Sequence, residues 1–257
     1  MDDHTLARYL ATAAGELLLG LRRDHRESSG AELGEEGDRQ ANTLLLKALA
    51  EHRPEDAVRS EESDDVTSAS GSGRLWIIDP LDGTREYRDR ARNDWAVHVG
   101  LAENGTLVAG AVAVPAIGRT FATDRPEPLA AAASHSRPRV AVSRSHRPAV
   151  VDALAEKMAV ELIPMGSAGV KAIAVLTGAV DAYIHAGGQY EWDSAAPVAV
   201  LAAAGAHASR IDGSPLIYGN PTPDLPDLLI CRPELKEEML AGLAAVATSE
   251  IGGADAG

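Results

Sequence analysis

Trp76-Ile77-Ile78-Asp79-Pro80-Leu81-Asp82-Gly83-Thr84 joins a short apolar run to an acidic turn. Such a run reads as a buried strand that delivers Asp79 to its carboxyl end, where open α/β sheets carry their sites. Pro80 is expected to stop the strand from continuing as a paired central strand. The turn brings Asp79 and Asp82 to one side, and two carboxylates held together repel unless a cation lies between them. Hard oxygen ligands suit Mg²⁺, which keeps some waters and takes other ligands from a phosphate. The Leu81 carbonyl is a further candidate ligand. Gly83 permits close backbone approach. Thr84 can cap the next turn, leaving amides open to an anion and a hydroxyl to orient water. In isolation the motif also fits a solvated turn; its attachment to an apolar run favours a site.

Outward from this stretch, helical and strand patterns alternate. Leu6, Leu10, Ala13, Ala14, Leu17, Leu18 and Leu21 recur at helical spacing. A polar stretch, 22–37, separates them from a second helical pattern through Ala41, Leu44, Leu45, Ala48 and Leu49, with Asp38 at its start and Pro54 at its end. Residues 63–73, rich in Ser, Asp and Gly, read as an exposed flexible loop. Residues 96–102 and 108–114 read as strands around the turn Glu103-Asn104-Gly105. The Pro- and Ala-rich segment 124–138 is the expected boundary between an α+β part, 1–130, and an α/β part, 131–257. Beyond it, strands are expected at 140–142, 179–184 and 228–231, and helices at 149–158, 167–176, 194–204 and 234–246. This alternation predicts an α/β layered protein.

The formal net charge is −14 over 257 residues. A chain so acidic repels the nucleic-acid backbone over most of its surface, which excludes DNA or long RNA as the main partner. A small anionic substrate then needs local cations. The single cysteine, Cys231, rules out an intrachain disulfide and a thiolate metal cluster, and it fits a reducing compartment. Met1-Asp2-Asp3-His4 lacks the cationic start and apolar stretch of a signal peptide. The longest apolar run, 195–206, is too short to span a bilayer. The expectation is a cytoplasmic protein with no membrane association.

Further polar groups stand out. Ser60-Glu61-Glu62-Ser63 alone is an acidic patch, and Asp193 in Glu191-Trp192-Asp193-Ser194-Ala195-Ala196 reads as a helix N-cap. Ser167 opens a helix, a favourable place for an anion, with Lys171 one turn on. His98, His185 and His207 lie in apolar surroundings and read as satisfied core residues. His146 reads as a surface histidine, and Trp192 as support for Asp193.

Taken together, Glu61-Glu62, Asp79 to Thr84 and Trp192 to Ala196 resemble, in order and separation, the signature of the inositol monophosphatase superfamily. The resemblance covers nearly the whole chain. Val142-Ser143-Arg144-Ser145-His146 and Lys171 are most similar to its CysQ branch, the 3′(2′),5′-bisphosphate nucleotidases, which remove the 3′-phosphate of 3′-phosphoadenosine 5′-phosphate. The resemblance implies a layered αβαβα sandwich, a homodimer, two or three Mg²⁺ ions and inhibition by lithium. It implies that Glu61, Asp79, the Leu81 carbonyl, Asp82 and Asp193 hold the metals. Glu61 and Thr84 would activate a water, with Asp38 assisting through solvent. The Gly83 and Thr84 amides would hold the scissile phosphate, and His146, Ser167, Lys171 and Asp193 would contact the substrate.

Inositol-1-monophosphatase or fructose-1,6-bisphosphatase activity at the same site remains an alternative. The chain departs from the pattern in carrying Glu35 where the family has Thr, and in lacking the upstream Lys of the nucleotidase branch among 26–37. An aspartyl-phosphate mechanism fits less well, because two residues rather than one separate Asp79 from Asp82.

Overall fold

The computed structural model describes residues 1–25, 29–63, 73–131 and 136–253, with side chains through 247. Most of the predicted loop at 63–73 lies outside the described residues.

Two five-stranded sheets form the frame. The first contains β1 (Ala57–Ser60), β2 (Arg74–Asp82), β3 (Ala96–Glu103), β4 (Thr106–Val114) and β5 (Arg119–Ala122), in that spatial order. Strands β1 and β2 are parallel and the remaining pairs antiparallel. The second contains β6 (Arg139–Ser143), β7 (Glu161–Met165), β8 (Ala182–Ala186), β9 (His207–Ser209) and β10 (Asp227–Cys231), in the order β7-β6-β8-β10-β9. Each sheet is drawn from one side of the segment 124–138.

Period-2 alternation sorts the strand residues into layers. Val97, Val99 and Leu101 of β3 and Ala109, Ala111 and Ala113 of β4 pack on α1 (Asp3–Asp24) and α2 (Gly30–His52). The opposite face, with Ala96, Val112 and Phe121, meets α5 (Ala168–Leu176) and α6 (Glu191–Ala203). These two helices also cover Tyr183, Leu228 and Ile230 of the second sheet. The second sheet's far face, with Val140, Ile184, Leu229 and Cys231, packs on α4 (Ala149–Met158) and α7 (Lys236–Gly253). The molecule is thus a helix–sheet–helix–sheet–helix stack, as expected. Among the described residues no helix is long and apolar enough to cross a membrane.

Two local expectations are corrected. Helix α2 starts at Gly30, so Asp38 lies inside it rather than at its start. Ser29 accepts the Glu32 amide while the Glu32 carboxylate accepts the Ser29 amide, a capping box that starts the helix well before the apolar pattern begins. The intervening buried face is made partly of Gly34 and Gly37, whose missing side chains leave room for Arg88, Thr84 and Tyr87, so it carries no hydrophobic period. Strand β2 does not stop at Pro80 either. It pairs through Asp79↔His98, slips, and pairs again at Asp82↔Ala96. Pro80 sits in this irregularity, where no regular ladder bond needs its missing amide.

The hairpin at Asn104-Gly105 forms as expected, both residues having the positive φ of a tight two-residue turn. Strands β1, β5, β7 and β9 and the short α3 (Thr84–Arg88) were not foreseen. Strand β8 starts at Ala182 rather than 179.

Glycines set the distance between the first sheet and α6. A Cβ on Gly100 would stand 3.0 Å from the Ala196 amide, and one on Gly110 would stand 2.7 Å from Ala199 Cβ. Gly110→Ala should therefore push α6 outward. We expect a loss of about 1–3 kcal/mol by overpacking, read as a lower urea midpoint with an unchanged slope.

Candidate active site

The site is assembled where β2 ends. Asp79 ends the regular pairing, and its Oδ1 accepts the Leu81 amide at 3.0 Å. The chain then turns through Gly83, whose φ of 87° is left-handed. A Cβ there would crowd Ser167 at 3.2 Å and the Asp94 carbonyl at 3.3 Å, so both conformation and space require glycine. Gly83, not Thr84, is the N-cap of α3. The Thr84 hydroxyl instead points back, 3.1 Å from the Leu81 carbonyl and 3.3 Å from Asp38 Oδ1. The N-terminal helix α2 thus reaches the site through Asp38.

Two other elements converge on this turn. Strand β1 leads to Glu61, whose amide donates to the Ile78 carbonyl at 3.3 Å. Its outer side is open to solvent while its carboxyl hydrogen-bonds Asp79. From the far side comes α6. Asp193 is the third residue of that helix, not its N-cap, and its Oδ2 accepts the Tyr190 amide at 2.7 Å. One oxygen each from Asp79, Asp82 and Asp193 lies within 4.8 Å of the others.

Asp82 is held differently from its neighbours. Its Oδ1 accepts the Ala168 amide at 3.0 Å, and its Oδ2 accepts the Gly169 amide at 2.7 Å and the Ser167 hydroxyl. The anion at the start of α5 is therefore Asp82 itself, fixed by three donors at the positive end of a helix. Ser167 holds a positive φ of 46° while its hydroxyl also accepts the Val170 amide at 3.0 Å. A strained backbone held by several bonds is common in functional sites.

Burial raises carboxyl pKa values and nearby like charge adds to it. Asp82 is the exception: burial pushes it up, but His98, Lys171 and Ser167 outweigh this and keep it well below the usual range. Asp79 is driven well above its usual value by burial and by Glu61, Asp82 and Asp193. Burial and the Asp82 charge lift Asp193 to about 6. Glu61 rises to about 7, by burial and by repulsion from Asp193, Asp82 and Glu62, against the Asp79 hydrogen bond. Asp38 also rises to about 7, through burial and Glu62, with the Thr84 hydroxyl opposing. Buried oxygen ligands that repel one another this strongly match the donor set of a hard divalent cation.

A cleft of about 320 Å³ opens beside these groups, lined among others by Gly83, His146, Ser167, Lys171 and His185. Lys171 is buried rather than solvated. Its ammonium donates to the Ser167 carbonyl at 2.7 Å and stands over the Tyr183 ring. Burial lowers its pKa, opposed by Asp82 and Asp193. A larger pocket of about 550 Å³ lies beside Val114, Met165 and Ile173, but none of the clustered carboxylates lines it.

Several supporting residues escaped the sequence reading. His98 is no ordinary core residue, since its ring meets Asp82 and the Trp192 carbonyl. Arg144 spans Glu86 at 3.2 Å and Asp94 at 2.8 Å, and Asp94 accepts the Gly166 amide at 2.8 Å, which fixes the loop before Ser167. The buried Arg59–Glu191 pair joins the strand before Glu61 to the helix before Asp193. Arg144 and Glu191 lie in segments quoted above, but the sequence does not name their partners, and His98 and Arg59 show only as charge beside apolar strand residues.

The match to the inositol monophosphatase family spans residues 3–248. The chain is 47% identical over 253 residues to the "3′-phosphoadenosine 5′-phosphate phosphatase" of Mycobacterium leprae (strain TN), covering 93% of each. It is 50% identical over 238 residues to the protein of the same description from Mycobacterium tuberculosis (strain CDC 1551 / Oshkosh), covering 90% of this chain and 89% of that one. Its fold is similar to that of the suhB extragenic suppressor protein from Bartonella henselae, with a TM-score of 0.76 at 20% identity, over 93% of this chain and 98% of the other. With its five layers and a family match from end to end, the chain belongs to the inositol monophosphatase family.

Proposed function

We propose that this protein is a magnesium-dependent phosphomonoesterase that removes the 3′-phosphate of 3′-phosphoadenosine 5′-phosphate. The observation that carries the reading is the convergence of Asp79, Asp82 and Asp193 at one end of a polar cleft, in a chain about half identical to proteins described as 3′-phosphoadenosine 5′-phosphate phosphatases. Hydrolysis of an inositol phosphate or a sugar bisphosphate is the less favoured alternative.

In this reading Glu61, Asp79, Asp82, Asp193 and the Leu81 carbonyl hold two or three Mg²⁺ ions, which supply positive charge to the phosphoryl oxygens and make water a better nucleophile. Glu61, whose carboxyl lies against Asp79 with its outer side open to solvent, is placed to take a proton from the attacking water. The Thr84 hydroxyl has one proton to give, to the Leu81 carbonyl or to Asp38, so its lone pairs are left to orient that water. The Gly83 and Thr84 amides hold the phosphate being cleaved. Ser167 shapes the cleft through its bond to Asp82, and Lys171 and His146 offer cationic or donor groups to the remaining anion. Parts 1–130 and 131–257 divide the work, the first supplying most ligands and the second Asp193 and the substrate contacts. Lithium inhibition, a homodimer and a cytoplasmic location belong to the same reading.

The substrate assignment is tested by steady-state kinetics with Mg²⁺ on 3′-phosphoadenosine 5′-phosphate, inositol 1-phosphate and fructose 1,6-bisphosphate. The nucleotide should give the highest kcat/KM; a higher value for either other compound overturns the assignment. Asp82→Ala should lower kcat/KM by about 10²–10³-fold, since metal-borne charge stabilisation is worth several kcal/mol.

The raised carboxyl pKa values also predict a pH dependence. Without divalent cation, Glu61 and Asp38 at about 7 and Asp193 at about 6 keep protons in the folded state. The unfolded chain releases those protons near pH ~4. The folded state then binds more protons, so this contribution is fully present at low pH and is lost as pH rises to about 7. Cation binding needs the carboxylates ionised, so its stabilising increment grows across the same window. Thermal melts should show the cation-free Tm falling between about pH 5 and 7.5 while the Mg²⁺ increment widens. A Mg²⁺ increment that does not change with pH would contradict this account.

A further inference from the structure

His98 is fully buried on β3, directly across the ladder from Asp79. A lone polar ring in such a place must satisfy both nitrogens or lose their hydration without return. Its Nδ1 lies 3.0 Å from the Trp192 carbonyl, which can only accept, so Nδ1 donates. Its Nε2 faces Asp82 Oδ2 at 3.1 Å, an ion-pair contact too bent to count as a good hydrogen bond. One imidazole therefore touches the acidic turn with one nitrogen and the first turn of α6 with the other.

The surroundings are shaped to this ring. Gly169 lies against it, and a Cβ there would stand 2.1 Å from Nε2. The same Gly169 donates its amide to Asp82. Trp192 immediately precedes Asp193, so restraint on its carbonyl restrains the backbone that presents Asp193. Asp82 and Asp193 are 111 residues apart by their numbering, 193 − 82, yet offer oxygens within 4.8 Å. The hydrogen bonds to Asp82 come from Ser167, Ala168 and Gly169 at the start of α5, which does not carry Asp193.

We infer that His98 is a positioning residue that ties the Asp82 carboxylate to the start of α6 and so sets the spacing of Asp82 and Asp193 for a shared divalent cation. The inference rests on the reading of this cluster as a cation site. It makes His98 neither a ligand nor a group that touches substrate. Asp82 would remain anchored to α5 without it, and α6 to Arg59 through Glu191, but the direct link between the Asp82 carboxylate and the Trp192 carbonyl would be lost.

The test measures Mn²⁺ binding to the purified 257-residue chain by electron paramagnetic resonance, alongside urea unfolding and Mg²⁺ kinetics. His98→Leu removes both polar contacts at similar bulk. It should raise the Kd for Mn²⁺ by about 10–100-fold, the usual loss when a group behind a metal ligand is removed. His98→Gln, whose amide nitrogen carries two donor hydrogens, should recover most of that loss. Gly169→Ala displaces the ring without deleting it and should weaken Mn²⁺ binding in the same direction; since Gly169 also holds Asp82, it is read beside His98→Gln should His98→Leu fail to fold.

A folded His98→Leu or Gly169→Ala that binds Mn²⁺ as the parent does overturns the inference and leaves the phosphatase reading intact. Equal weakening in the Leu and Gln variants also overturns it, because the flat shape of the ring rather than its polar contacts would then be responsible. A parent chain that binds no Mn²⁺ sinks the cation reading, and this inference with it.

Discussion

Mutual repulsion among buried carboxylates is the constraint around which the rest of this molecule is arranged. Asp79, Asp82 and Asp193 present oxygens within 4.8 Å of one another, and Glu61 adds a fourth carboxyl against Asp79. Nothing in the hydrophobic effect would bring these groups together, and in low dielectric their charges oppose it strongly. The protein resolves the conflict unevenly. Asp82 is stabilised as an anion by the start of α5 and by His98 and Lys171. The others are left with raised pKa values, so the folded chain without cation keeps protons in place of the missing positive charge. One carboxylate fixed as an anion beside neighbours that must shed protons to act as ligands makes any cation binding here depend on pH.

Bringing distant segments to one point demands close layers. The first sheet lacks side chains at Gly100 and Gly110, where α6 lies, and α5 lacks one at Gly169, where His98 lies. Helix α2 does the same with Gly34 and Gly37 against the segment after β2, which lets Asp38 reach Thr84. Small residues at these crossings place functional side chains within hydrogen-bond range without loops long enough to wander. Aromatics make up only 4% of the sequence, and alanine fills much of the buried face of α6, which suits such close layers.

The frame and the acidic trio were legible for a physical reason: each carries its signal locally. A strand buried on both faces is a continuous apolar run, and Asn104-Gly105 can hardly be anything but a tight turn. Asp79 and Asp82 follow directly from where such a run ends. The failures share the opposite property. The early start of α2 is hidden because, past Leu33, its buried face is Gly34, Gly37 and Asp38 rather than an apolar series. Strand β7 carries Pro164 and lies at a sheet edge, where a missing amide does no harm. Pro80 was read as a stop because the bulge that accommodates it depends on the register of a strand that follows it in the chain. His98, Arg144 and Glu191 look like ordinary polar residues until the layers meet, so their roles exist only in three dimensions.

Along α6 the nature of the contact with the first sheet changes from one end to the other. Its middle rests on glycine, with Ala196 and Ala199 against Gly100 and Gly110, a fit of shape alone. Its first turn is tied by polar groups. Glu191 is fully buried and paired to Arg59, and its Oε1 accepts the Asn220 amide at 2.9 Å; one residue on, the Trp192 carbonyl accepts from His98. Buried ion pairs give little net stability, because desolvation offsets their attraction, whereas breaking one leaves a charge without a partner. Apolar contact would have held the helix just as firmly, but it tolerates sliding; a carboxylate matched to a guanidinium and two amide donors tolerates very little. Shape therefore holds α6 on the sheet, and the polar end fixes its position along the sheet, at the one turn where a small displacement would carry Asp193 out of reach of Asp82.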